Sequence, residues 1–113
     1  HRFPGAVTMR VRQKVREQLA RGTISLTATA TSLGVPPRSL QRMLRAQGSD
    51  FSSIVREQRV AIALECLGLT LPPNLTDLAG RLAFQDISVA SRFLRAQFGA
   101  SVRRLRRARP DQA

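Results

Sequence analysis

Arg38, Gln41, Arg42 and Arg45 recur at the spacing i, i+3, i+4, i+7, which on a helix gathers them along one face. Ser88, Ser91, Arg92 and Arg95 repeat that spacing fifty residues later. Each stripe is a row of hydrogen-bond donors, and its arginines add positive charge. Such rows bind; they do not break bonds. Catalysis has little to draw on, because there is one Cys (Cys66), one His at the first position, and no Trp or Tyr. No Cys pair is available for a disulfide and no Cys/His cluster for zinc. Lys14 is the only lysine, which leaves little for a centre of clustered carboxylates plus lysine. The expectation is a protein that is not an enzyme and calls for no cofactor and no metal.

What the rows would bind follows from charge. Nineteen Lys and Arg against seven Asp and Glu give a formal +12 at pH 7 on 113 residues. An excess of that size attracts a polyanion, nucleic acid first and an acidic membrane surface second. The charge is uneven: residues 1–50 hold nine basic and two acidic side chains, residues 51–75 two and two, and residues 76–113 eight and three. Two basic lobes flank a neutral middle, whereas faces that are merely solvated usually mix both signs. A hydrophobic content of 42% and a mean hydropathy of −0.16 argue against a disordered basic tail. The length suits one ordinary domain or two very small ones. No run of about 18 apolar residues is present to span a membrane, and the opening residues lack the apolar stretch of a signal peptide. Together with the lack of Cys pairs, this predicts a cytoplasmic, nucleoid-associated protein. His1 in place of an initiator Met reads as the start of an excised fragment.

The elements that must carry these rows are repeated. Arg42-Met43-Leu44-Arg45-Ala46-Gln47 returns as Arg92-Phe93-Leu94-Arg95-Ala96-Gln97, and upstream Ala30 and Leu33 match Ala79 and Leu82 at an offset of 49. In the first copy Ser25 caps a helix with Leu26, Ala30 and Leu33 inward; Gly34 stops it, Val35 plugs the corner, and Pro37 opens a second helix. Leu40, Met43 and Leu44 then face in. In the second copy Asn74 is the cap and Leu75, Leu78, Ala79 and Leu82 the apolar face. Residues 83–86 make the turn, with Phe84 as plug and Asp86 as cap, and Ala90, Phe93, Leu94 and Phe98 point inward. Two helices, a tight turn and a donor-bearing second helix are the parts of a helix-turn-helix.

Residues 51–67 contain no Gly or Pro and predict a helix of roughly four and a half turns joining the copies. Its neutral surface suits a spacer, on which Arg59 is expected to pair with an acidic neighbour. Val7, Val11, Val15 and Leu19 predict a first helix, with Arg10, Arg12, Lys14 and Arg16 more exposed. Ser101 caps a last one through Val102 and Leu105, within the densest cationic run, Arg103, Arg104, Arg106, Arg107 and Arg109. The predicted class is all-α, about seven helices forming two helix-turn-helix subdomains at 1–50 and 68–113 joined by a linking helix at 51–67.

Residues 34–44, then Arg59, Ala63 and Leu67, then Leu78-Ala79 with Leu82-Ala83-Phe84, and Ser91-Arg92 with residues 98–101 resemble the DNA-binding domain of AraC/XylS-type transcription regulators over roughly residues 7–107. The chain departs from that pattern at Thr29, Pro36, Ala83, Ala90 and Val102, where the family usually has an apolar residue, a Ser or Thr cap, Gly, a larger apolar residue and Pro. The resemblance implies base contacts by Arg38, Gln41 and Arg42 from one recognition helix and by Ile87, Ser88, Ser91 and Arg92 from the other. It also implies double-stranded DNA and RNA polymerase as partners, no membrane, and an effector-binding or dimerising domain ahead of residue 1.

If the linking helix sets the recognition helices about 34 Å apart on one face of the duplex, they enter successive major-groove segments. Arg38, Arg42 and Arg92 suit guanine and Gln41 adenine, while Ile87 offers only an apolar contact to a thymine methyl. Arg45, Arg95, Arg103, Arg104, Arg106 and Arg107 are expected at phosphates. The competing expectation is a cationic helical module that docks on acidic membrane or protein surfaces. Such helices favour Trp and Phe beside Lys, and here aromatics are 4% and lysine is single.

Overall fold

The computed structural model describes residues 5–107, with side chains through Leu105. Seven α-helices and no strand form among them: α1 Ala6–Arg21, α2 Leu26–Ser32, α3 Pro37–Ala46, α4 Phe51–Leu67, α5 Leu75–Arg81, α6 Ile87–Phe98 and α7 Val102–Arg107. The all-α expectation holds. The described residues divide into two compact units, and the boundary falls inside α4, between Gln58 and Arg59.

In the first unit the four-residue spacing on α1 does what amphipathic periodicity should: Val11, Val15 and Leu19 are fully buried. Ala30 of α2, Leu40 and Leu44 of α3, and Ile54 and Val55 of α4 complete the buried set. Helices α1, α2 and α3 pack pairwise on one another. Ser25 Oγ accepts the Ala28 N–H at 3.0 Å and fixes the start of α2. Pro37 opens α3, where its missing N–H leaves nothing unpaired.

Thr29, polar where an apolar residue was expected, is fully buried. Its Oγ1 donates to the Ser25 carbonyl at 2.9 Å and accepts from Gln18 Nε2 at 2.8 Å. Gln18 Oε1 in turn accepts the Ser25 N–H at 2.9 Å. The hydroxyl is thus paid for by two hydrogen bonds, and α1 is tied to the start of α2.

In the second unit, Ala63 and Cys66 of α4, Leu78 and Leu82 on α5 and its end, Leu94 of α6 and Val102 of α7 form one core. Ile62, Leu75, Phe84, Phe93 and Phe98 pack against it. Burying a residue such as Leu94 completely contributes about 1.5–3 kcal/mol. Asn74 Oδ1 accepts the Asp77 N–H at 2.9 Å, Asp86 Oδ1 the Ser88 N–H at 2.8 Å, and Ser101 Oγ the Arg104 N–H at 3.3 Å, so all three expected caps are in place.

The repeat read in the side chains is also present in the backbone. In the first unit the Gly34 N–H bonds to the Thr31 carbonyl and the Val35 N–H to the Ala30 carbonyl. In the second, at an offset of 49, the Ala83 N–H bonds to Gly80 and the Phe84 N–H to Ala79. Both turns are the same left-handed helix stop, with φ +74° at Gly34 and +61° at Ala83.

Candidate nucleic-acid interface

Each of the helices α3 and α6 is held by its buried face, which decides what the other face presents. On α3, Leu40 and Leu44 are fully buried and Met43 is half-buried, so a 100° step per residue turns Arg38, Gln41, Arg42 and Arg45 outward, and all four are exposed. Arg42 Nη2 reaches Ser39 Oγ at 3.5 Å, a weak contact within the helix that leaves the guanidinium free to turn toward a ligand.

On α6, Ala90 and Leu94 are fully buried and Phe93 is half-buried. Ile87, Ser88, Arg92 and Arg95 are exposed. Ser91 differs from the expectation: it is half-buried, because its position lies at the edge between the buried Ala90–Leu94 side and the exposed Arg92–Arg95 side. At the matching place on α3, the longer Gln41 reaches solvent. Ile87 and Val89 are among the exposed large hydrophobic residues. Val89 was not singled out by its type, although the offset of 50 pairs it with Ser39 and would have placed it off the core.

The last cationic run is helical at Val102–Arg107, and Arg103 and Arg104 are exposed. The side chains of Arg106 and Arg107, and Arg109 altogether, lie outside the described residues. Elsewhere the arginines are engaged in different ways. Arg12 is more exposed than the stripe of Val11, Val15 and Leu19, as expected, with 42% of its side chain exposed, and its Nε lies 2.6 Å from Glu57 Oε1. Arg16 Nη1 reaches Gln58 Oε1 at 3.5 Å. Both contacts join α1 to α4 within the first unit, and the Arg12–Glu57 pair lies at its surface.

Arg59 corrects an expectation. Instead of an acidic neighbour it meets backbone: Nε donates to the Leu82 carbonyl at 2.8 Å and Nη2 to the Ala83 carbonyl at 3.3 Å. Its guanidinium carbon also lies 3.9 Å from the centroid of the Phe84 ring. Burial pulls its pKa below the ordinary arginine value, though the group stays charged.

The arrangement can donate hydrogen bonds and neutralise charge. Among the described residues there is no cluster of three His, Cys, Asp or Glu that could hold a metal, and no helix is long and apolar enough to cross a membrane.

No family model matches the chain. It is 28% identical over 98 residues to the transcriptional activator RhrA of Rhizobium meliloti (strain 1021), an alignment covering 86% of this chain and 31% of that activator's length. Solved structures that share its fold include two from regulators. The C-terminal domain of AraT, a response regulator from Geobacillus stearothermophilus, superposes with a TM-score of 0.78 at 25% identity, covering 92% of this chain and 86% of that one. A DNA-binding transcriptional dual regulator from Escherichia coli K-12 superposes with a TM-score of 0.79 at 19% identity, over 88% of each chain. The resemblance read from the sequence is thereby borne out: over most of its length this chain is similar to regulators of transcription.

Proposed function

We propose that the chain is the DNA-binding domain of an AraC/XylS-type transcription regulator that reads double-stranded DNA with two recognition helices, α3 and α6. The observation that carries this reading is the duplicated unit, in which the same turn delivers a helix whose outer face bears arginine: Arg38, Arg42 and Arg45 on α3, Arg92 and Arg95 on α6. Arg38, Gln41 and Arg42 contact base edges in one box. Ile87, Ser88, Ser91 and Arg92 contact them in the other, about ten base pairs away. Arginine pairs with guanine O6 and N7, glutamine with adenine, and a well-formed pair discriminates by about 1–3 kcal/mol. Arg45, Arg95, Arg103, Arg104, Arg106 and Arg107 neutralise phosphates and set register. Ser91, half-buried where Ile87, Ser88 and Arg92 are exposed, contributes least.

In this reading the subdomains are residues 1–50 and 68–113 with the linking helix at 51–67. The whole protein places an effector-binding or dimerising domain ahead of residue 1, meets RNA polymerase, and works in the cytoplasm at the nucleoid. The similarity to a transcriptional activator more than three times as long as the matched segment supports it. The test is selection of bound duplexes from a random pool at several salt concentrations. Enrichment of two short boxes about one helical turn apart is expected; enrichment of no motif at any salt contradicts the reading. A cationic module docking on acidic surfaces would instead bind anionic vesicles and show no sequence preference.

A further inference from the structure

Arg59 makes contacts that neither the base-reading nor the phosphate-binding arginines make, and all of them converge on the turn that launches α6. The carbonyls of Leu82 and Ala83 follow the last residue of α5, where unpaired acceptors collect and the helix dipole is negative. A guanidinium fork can hold two such oxygens at once, which a single ammonium does poorly. Arg59 does so through Nε and Nη2. It also lies on the Phe84 ring, which packs against the Phe93 ring of α6 at 5.3 Å between centroids and 53° between planes. Phe93 adjoins Arg92 in the chain. A run of contacts therefore leads from α4 through the turn to the residue beside a proposed base contact.

The first unit lacks the need for this device. Its left-handed position is Gly34, which adopts φ +74° without strain, whereas the second unit has Ala83 at φ +61°. The residues that fall opposite Arg59 at the repeat's offset of 49 to 50, Met9 and Arg10, are exposed.

We infer that Arg59 is the positioning residue of the second recognition helix, holding the Leu82 and Ala83 carbonyls and the Phe84 ring so that α6 leaves its turn in the one direction that presents Arg92. The inference rests on the DNA-binding reading above, but its test does not depend on DNA alone.

The experiment compares the full chain with Arg59→Lys, which keeps the charge and loses the fork, and Arg59→Gln, which keeps a donor and loses the charge. Amide hydrogen exchange in the free protein is expected to speed up about tenfold over residues 83–89 in both variants, as loss of a charge-assisted hydrogen bond implies, with α3 unchanged. On the selected duplex, discrimination against a scrambled second box should collapse toward one, while discrimination in the first box stays at the wild-type value. Unchanged exchange over residues 83–89, or equal loss of discrimination in both boxes, overturns the inference. Wild-type protein that prefers no duplex would overturn the DNA-binding reading instead, and the exchange data would still decide whether Arg59 holds α6.

Discussion

At Ala83 an L side chain sits at φ +61°, while the matching turn has glycine at φ +74°. Left-handed backbone costs a non-glycine residue on the order of 1 kcal/mol, part of which glycine gives back through greater freedom in the unfolded chain. Ala83→Gly should therefore stabilise the protein by about 0.5–1 kcal/mol, seen as a higher midpoint in a thermal melt followed by helical circular dichroism. Gly34→Ala should do the reverse, by about 1 kcal/mol, and purely through the backbone, since a Cβ there meets nothing within 4 Å. Opposite signs at the two matched positions are the expected outcome; a loss of stability in both would show that the turns are not equivalent. At this scale the sequence was readable where a residue's type states its role. Arginine on an apolar-backed helix, Asn74 or Asp86 before a helix, and glycine after one are of that kind. It was not readable for Arg59, whose partners are carbonyls 23 and 24 residues away that any side chain could have carried. Gln18 and Thr29 were missed for a related reason: their mutual bond crosses between helices, and neither residue type announces it.

Helices form here because local signals agree, which is why their bounds followed from caps, prolines and periodicity. Helix α4 ends where the Gly- and Pro-free stretch does, at Leu67 before Gly68, and starts at Phe51, directly after the capping Asp50. What periodicity could not supply is how α4 is shared: its first residues belong to one unit and its last to the other, a division set by packing partners distant in sequence. The caps make two predictions. Asp86→Ala removes the acceptor for the Ser88 N–H and should cost about 1 kcal/mol, fraying the turn that carries Ile87 and Ser88 before the rest of α6. Chemical shifts of residues 87–90 would record it. Asp50 accepts the Ser53 N–H at 2.8 Å at the start of α4. That backbone bond, then the Ser53 side chain, hold its pKa below the usual carboxylate range against an opposing effect of desolvation, with Arg56 and Arg45 adding less. Because the folded value is the lower one, its stabilising effect is complete above the unfolded-state value and is lost as pH falls through the folded one. The melting midpoint of wild-type protein should thus fall more steeply below about pH 4 than that of Asp50→Asn, which keeps the cap without the titration. Parallel acid limbs would remove Asp50 from the account.

For the molecule as a whole, +12 on 113 residues gives a long-range attraction to a polyanion that carries no sequence information. Under the proposed function, six arginines at phosphates would give a slope of about −5 in log affinity against log salt. Arg104→Ala should reduce that slope by about 1 and weaken binding evenly across sequences, whereas an altered base preference would move this residue from the backbone to the grooves. The central claim is that α3 and α6 read different boxes, and duplex selection with wild-type protein, Arg42→Ala and Arg92→Ala tests it most directly. Relaxed preference in two separate boxes, one per variant and about ten base pairs apart, is the predicted result; relaxation of the same base position by both variants would contradict it.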